Sequence, residues 1–287
     1  MGQTIVYGIL NGTLYGIIAL GIALVFGIMR YLNLAQGSFI VFGAYGSLFL
    51  FQAGLDPFVS VPLVAAALFI LGILLFKASF SRLIILPEPG KIKNSLLVSF
   101  GLMLFFDSLA TILWTGDERS ITPAYSGVTF AFAGLHFPFT GLVGACCALV
   151  LIAGLHLFLS RTYFGRSVMA VSQDYEAASL MGIDVQKTFL LSFGMSVMLA
   201  SIPGVLVGLK SFGPTVGIQW FNKGIIVAML SGIGNIYGIF PAGIFLGVVE
   251  AVSVYLFGAP YREVTGLVIF VLVMVLFPKG LLKRQQI

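Results

Sequence analysis

The chain has 287 residues, 59% hydrophobic and 9% charged, with 35 glycines and a net charge of +5; its mean hydropathy is +1.10. Ordinary soluble domains carry roughly 25% charged residues, so a soluble globular protein is excluded, as are a disordered chain, a collagen-like chain and a disulfide scaffold. The basic residues are scattered over short loops, which is a topology signal and not a nucleic-acid footprint. Cys146 and Cys147 adjoin in an apolar run and read as small membrane-buried side chains.

The first apolar run, 5–28, follows Met1-Gly2-Gln3-Thr4 with no basic residue and is too long for a signal peptide, so it reads as a retained helix. Further runs follow at 33–53, 58–76, 95–114, 139–159, 188–209, 224–240, 241–257 and 264–277. A crossing needs about 20 apolar residues, and these runs are apolar all round rather than alternating, so helices are expected and a β-barrel is not. The expected fold is all-α: one polytopic membrane domain over residues 1–287 with about nine spans. The run at 224–240, interrupted by Gly232, Gly234 and Gly238, and the run at 33–53, opening with Asn33 and Gln36, are candidates for broken or re-entrant segments.

Nine crossings place Arg30, Lys77, Arg82, Lys91, Lys93, Arg161, Arg166, Lys187, Lys279, Lys283 and Arg284 on one side, and Arg119, Lys210, Lys223 and Arg262 on the other. The positive-inside rule makes the first side cytoplasmic, with the N-terminus outside and the C-terminus inside. Glycines four apart, at Gly12/Gly16, Gly204/Gly208, Gly213/Gly217, Gly234/Gly238 and Gly243/Gly247, suit close helix packing. Pro203 and Pro241 suggest kinks.

No enzyme constellation emerges. His136 and His156 have no Cys or carboxylate at metal-ligand spacing, and no phosphate-binding G-x-x-x-x-G-K-[ST] occurs. Uphill transport would therefore draw on a partner or an ion gradient. Asp107 and Glu250 are the acids within spans. Each is either a functional charge or an acid kept neutral or hydrogen-bonded to a neighbouring helix. Asn33 and Gln36, at the mouth of an apolar run before Gly43-Ala44-Tyr45-Gly46, line a path or bond between helices.

Between the fifth and sixth spans lies the 161–187 loop. Ala170, Ala177, Ala178 and Met181 form an apolar stripe at helical spacing. Ser172 is placed as the N-cap, with Asp174 and Glu176 in the first turns, and Gly182 as the stop. This predicts a short amphipathic helix that docks into a groove on a partner, or a plain interfacial connector.

At these residues the chain resembles permease subunits of bacterial branched-chain amino-acid ABC importers. The resemblance rests on Gly8-Ile9 through Tyr15-Gly16, on Phe26-Gly27 leading to Asn33-x-Ala35-x-Gly37, and on Gly43-Ala44-Tyr45. It continues with Gly165-Arg166 through Ala178 to Gly182-Ile183, then Gly232-Ile233-Gly234-Asn235, Gly243, Gly247, Glu250 and Pro278-x-Gly280-Leu281. Gln36 stands where that family often has His, and Met169 where a basic residue is common.

The resemblance implies a type II importer fold and no cofactor in this chain, with ATP bound by two separate cytoplasmic ATPase subunits. It further implies a second permease, related or identical, and a periplasmic binding protein that delivers the substrate. Asn11, Asn33, Gln36 and Glu250 would border the translocation path. Gly165, Arg166, Glu176, Ala177, Ala178 and Gly182 would couple to the ATPase. The competing expectation is an ion-coupled secondary transporter using Glu250 or Asp107; a third is a structural membrane subunit without a path.

Overall fold

The computed structural model describes residues 1–85, 88–132, 134–232, 235–277 and 280. The motif positions Ile233, Gly234, Pro278 and Leu281 and the basic residues Lys279, Lys283 and Arg284 lie outside them. In chain order the helices are α1 (Gly2–Met29), α2 (Gln36–Gln52), α3 (Pro57–Leu75), α4 (Glu88–Trp114), α5 (Phe139–Arg161), α6 (Tyr163–Gln173) and α7 (Tyr175–Leu180). They continue with α8 (Val185–Leu199), α9 (Ser201–Gly208), α10 (Gly217–Ser231), α11 (Ile236–Phe257) and α12 (Tyr261–Leu276). A π turn and a 3-10 turn extend α3 through Ile85.

Among the described residues, six helical stretches are long and apolar enough to cross a membrane: Gly2–Met29, Pro57–Leu83, Ile92–Trp114, Phe139–Arg161, Val185–Gly208 and Tyr237–Phe257. The other expected spans correspond to α2, α10 and α12, with 17, 15 and 16 residues. At a rise of 1.5 Å per residue these cover about 22–26 Å, short of a hydrocarbon core about 30 Å thick.

The run at 224–240 is broken, as its interrupting glycines lead one to expect. It breaks between Ser231 and Ile236, where Gly232 adopts φ +86° and Asn235 caps α11 by accepting a bond from the Gly238 N–H at 3.2 Å. The 188–209 run is also divided, at Ala200. Pro203 has no N–H to bond back to Leu199, and its ring crowds that carbonyl. Pro241, by contrast, lies inside the continuous α11.

The all-α expectation misses one element. Strands β1 (Thr129–Phe132) and β2 (Leu135–Pro138) pair antiparallel between α4 and α5.

The chain forms two compact units drawn from interleaved stretches. One comprises Met1–Leu20, Thr122–Ile152 and Asn222–Ile287. In it α1 and α11 meet along glycines: a Cβ on Gly12 would lie 2.5 Å from the Gly243 carbonyl, and one on Gly247 would lie 2.6 Å from the Gly12 Cα. Two of the glycine pairs read from the sequence therefore face each other, backbone on backbone.

The other unit comprises Gly21–Ile121 and Ala153–Phe221. There α2 packs on α9 and α3 on α8. Gly204 approaches the Ile40 carbonyl, and Gly72 approaches the Gly194 Cα. Gly213 lies in a loop, so it shares no helix face with Gly217. Tyr45 stacks on Trp114 at 4.1 Å between ring centroids and meets Phe212 edge-on.

Candidate functional site

In the second unit, α1 ends at Met29, and Arg30 takes φ 54° and turns the chain into the connector that carries Tyr31 and Asn33. Tyr31 is wholly buried against Phe80 and Phe189, and burial pushes its phenol well above the ordinary range. Asn33 is 6% exposed, and neither its amide nitrogen nor its oxygen has a hydrogen-bond partner among the described residues. Such a group is costly unless something polar meets it at some stage of the working cycle.

Gln36, three residues on, is satisfied. Its Nε2 donates to the Ser196 carbonyl at 3.0 Å, while the Ser196 hydroxyl donates to the Gly21 carbonyl at 2.7 Å. The structure thus uses Gln36 to tie the start of α2 to α8, where Ser196 in turn bonds to Gly21 within α1. Asp107 accepts a bond from Ser38 at 2.7 Å, joining α4 to α2. That is the hydrogen-bonded alternative for this acid.

The first unit holds Asn11, half-buried in α1, and Glu250, fully buried in α11. Glu250 is not alone. The Lys223 ammonium on α10 ion-pairs with one carboxylate oxygen. The Tyr15 hydroxyl donates to the other at 2.8 Å. Arg262 brings its Nε within 3.6 Å of the same oxygen and is itself partly exposed. Gly266 makes room: a Cβ there would lie 2.9 Å from Glu250 Oε1.

This arrangement corrects one expectation: Lys223 is a buried helical residue rather than a loop cation. For Glu250 it gives the acid hydrogen-bonded to a neighbouring helix, and adds an ion pair to it. Lys223 was hidden among the basic residues counted for topology. Its signal is its place in Phe221-Asn222-Lys223-Gly224-Ile225-Ile226, at the head of an apolar run.

The 161–187 segment folds as two helices, not one. Asp174 leaves helical geometry at φ −152° and caps α7, its carboxylate accepting from the Glu176 and Ala177 N–H groups at 2.9 Å. Asp174, not Ser172, is therefore the cap; the Ser172 hydroxyl bonds back to the Met169 carbonyl at 2.7 Å. At the other end Gly182 takes φ +82°. Its N–H bonds the Ser179 carbonyl and the Ile183 N–H bonds the Ala178 carbonyl, the paired contacts of a Schellman stop.

The predicted stripe is rearranged by this break. Ala178 is buried at 5% exposure, whereas Leu180 and Met181 are 89% and 85% exposed. Arg166, Glu176 and Ala177 are exposed. Gly165 is buried where α6 begins, and a Cβ there would strike the backbone of Phe158 and Leu159 at the end of α5. Gly165 and Ala178 thus shape the segment, while Leu180 and Met181, which the sequence reading left out or placed on the same face as Ala178, form its free apolar surface.

Residues 4–277 match the family described as the permease component of branched-chain amino acid transport systems. The chain is similar to the branched-chain amino acid permease BraD of Pseudomonas aeruginosa, 29% identical over 99% of this chain and 96% of that protein. It is 26% identical to LivH of Salmonella typhimurium over 99% and 96%, and 26% identical to the probable LivH permease of Methanocaldococcus jannaschii over 95% and 90%. No solved structure matches the chain. These relatives give no support to an ion-coupled secondary transporter, and they are transporter subunits rather than enzymes. With its apolar helices, the chain is a multi-pass inner-membrane protein. It belongs to the family of permease components of branched-chain amino acid ABC transport systems.

Proposed function

We propose that this chain carries branched-chain or related amino acids across the bacterial inner membrane as one of two permeases in an ABC importer. The observation that carries this reading is the family match over residues 4–277. The partners are a second permease, related or identical, two cytoplasmic ATPases that bind the ATP, and a periplasmic binding protein. The short helices α2, α10 and α12 complete nine crossings in a type II arrangement, with the N-terminus outside and the C-terminus in the cytoplasm, and the two units act as one transmembrane domain. Asn11, Asn33, Gln36 and Glu250 border the path; the unpaired, buried amide of Asn33 supports this most directly.

The coupling contact is the 163–182 segment. Arg166, Glu176 and Ala177 reach the ATPase beside Leu180 and Met181, Gly165 and Ala178 set the shape of the segment, and Gly182 fixes its return. An exposed, apolar, well-capped short helix is suited to a partner's groove.

The test is uptake by the complete importer in proteoliposomes, with a panel of amino acids and urea supplied through the binding protein. ATP-dependent accumulation of leucine, isoleucine or valine is expected. Accumulation that follows a proton or sodium gradient without ATP would refute the reading.

A further inference from the structure

The β1–β2 hairpin is the element that neither the sequence reading nor the transport mechanism uses. Its register pairs Phe130 with Phe137 and Phe132 with Leu135. Side chains alternate across a strand, so these four share one face. Thr129, Ala131, His136 and Pro138 occupy the other. Phe130 and Phe132 are 53% and 77% exposed. An isolated two-stranded hairpin is marginal in water, and a face of three phenylalanines and a leucine, half-buried at Leu135 and Phe137 but open at Phe130 and Phe132, makes it more so.

Its attachments say what covers that face. Residues 122–160 contain no Asp, Glu, Lys or Arg. β2 ends at Pro138 and the spanning helix α5 starts at Phe139, so the hairpin stands at the end of a crossing. The Gln3 side chain clamps β2 through both amide ends: Nε2 donates to the His136 carbonyl at 2.6 Å, and Oε1 accepts from the His136 N–H at 2.8 Å. Gln3 belongs to the first turn of α1, a second crossing. The hairpin is thus held level with the ends of two spanning helices, which is the depth of the headgroup boundary. Much of α5, continuous with it, is exposed and apolar.

We propose that the hairpin is a membrane-interface anchor: its Phe130–Phe132–Leu135–Phe137 face lies in the lipid boundary, and its Thr129–Ala131–His136 face meets water. It fixes the depth of the starts of α1 and α5. Aromatic side chains are suited to this boundary, and an amphipathic element lies in its plane.

Phe132→Trp and Ala131→Trp place a reporter on opposite faces of one strand. Each is compared with the unaltered protein in the assembled importer, in nanodiscs of phosphatidylethanolamine and phosphatidylglycerol. Brominated acyl chains should quench the added emission of Phe132→Trp at least twofold more than aqueous iodide does, and Ala131→Trp should show the reverse order. Equal iodide quenching at both positions overturns the proposal. So does a Phe132→Trp signal shielded from both quenchers, since that face would then be covered by a protein subunit. Phe130→Trp repeats the reading on the same face if Phe132→Trp does not assemble.

Discussion

The ammonium of Lys223 and the carboxylate of Glu250 form a buried ion pair that joins α10 to α11. Both side chains are at most 10% exposed, and Tyr15 from α1 completes the coordination of the carboxylate. Removing one partner strands the other charge in a low-dielectric interior, which costs about 3–5 kcal/mol. Lys223→Met and Glu250→Leu should each lower the thermal stability of the purified protein markedly, and the double variant should recover most of the loss. Glu250→Gln should also destabilise, because a neutral amide leaves Lys223 without a counter-charge. Arg262→Ala, at a partly exposed position, should cost less than about 1 kcal/mol. A double-mutant cycle with no coupling between Lys223 and Glu250 would contradict the pair.

Asn33 and Gln36 are three residues apart and equally polar, yet they should respond in opposite ways. Gln36→Leu removes the bond to the Ser196 carbonyl and leaves a buried acceptor unsatisfied, at a cost of about 1–3 kcal/mol. Asn33→Leu removes two buried atoms that have no partner, so stability should hold or rise. Its effect should appear in uptake, by loss of the amide from the proposed path. Melting temperatures and uptake rates measured on the two single variants separate these cases. Destabilisation by Asn33→Leu with normal uptake would make Asn33 a packing residue only.

The glycine seam predicts a sharp positional contrast. A methyl on Gly12 meets the Gly243 backbone, whereas a methyl on Gly101 meets nothing within 4 Å. Gly12→Ala should force α1 and α11 apart and reduce the yield of folded protein severalfold. Gly101→Ala should be neutral or slightly stabilising, since alanine favours the helix by about 1 kcal/mol. Size-exclusion profiles of the two variants in detergent decide the matter, and equal profiles would remove the seam.

The same particulars show what could be read from the residues alone. Gly12 and Gly243 were legible because a four-residue spacing fixes a helix face before any fold is known. Gly182 was legible because a glycine after an apolar stripe is a stop signal. Lys223 was not, because counting cations for orientation treats every lysine as loop-borne, and only the fold brings Glu250 to it. The break in 224–240 was legible in its glycines, Gly232 among them, but its exact place was not, because hydropathy does not register a cap; Asn235 three residues before Gly238 was the signal. The hairpin was missed because strands of four residues beside a long apolar helix give too short an alternation to stand out. In 161–187 the stripe was drawn through a helix that Asp174 divides, so the face was assigned to Ala178 when the turn exposes Leu180 and Met181.

That last reassignment changes what mutations in the segment should do. Ala178 is buried, and its carbonyl anchors the stop through Ile183. Ala178→Trp should therefore damage the segment itself, lowering stability as well as uptake. Leu180→Glu and Met181→Glu alter side chains that are almost wholly exposed, so the permease should fold and insert normally. Each should weaken co-purification of the ATPase and reduce uptake, because a carboxylate carries a desolvation penalty into an apolar groove. Gly182→Val tests the geometry of the stop separately. Nothing lies within 4 Å of a Cβ there, so crowding is absent and the effect comes from φ +82° alone. A β-branched residue is strained in that region by about 1–3 kcal/mol, enough to shift the position of Leu180 and Met181 without unfolding the helices around them. Gly182→Ala should give a smaller loss in the same direction. ATPase retention on affinity-tagged permease, measured beside uptake, distinguishes the two mechanisms. Full retention and normal uptake in the Leu180→Glu/Met181→Glu double variant would show that the ATPase contact lies elsewhere.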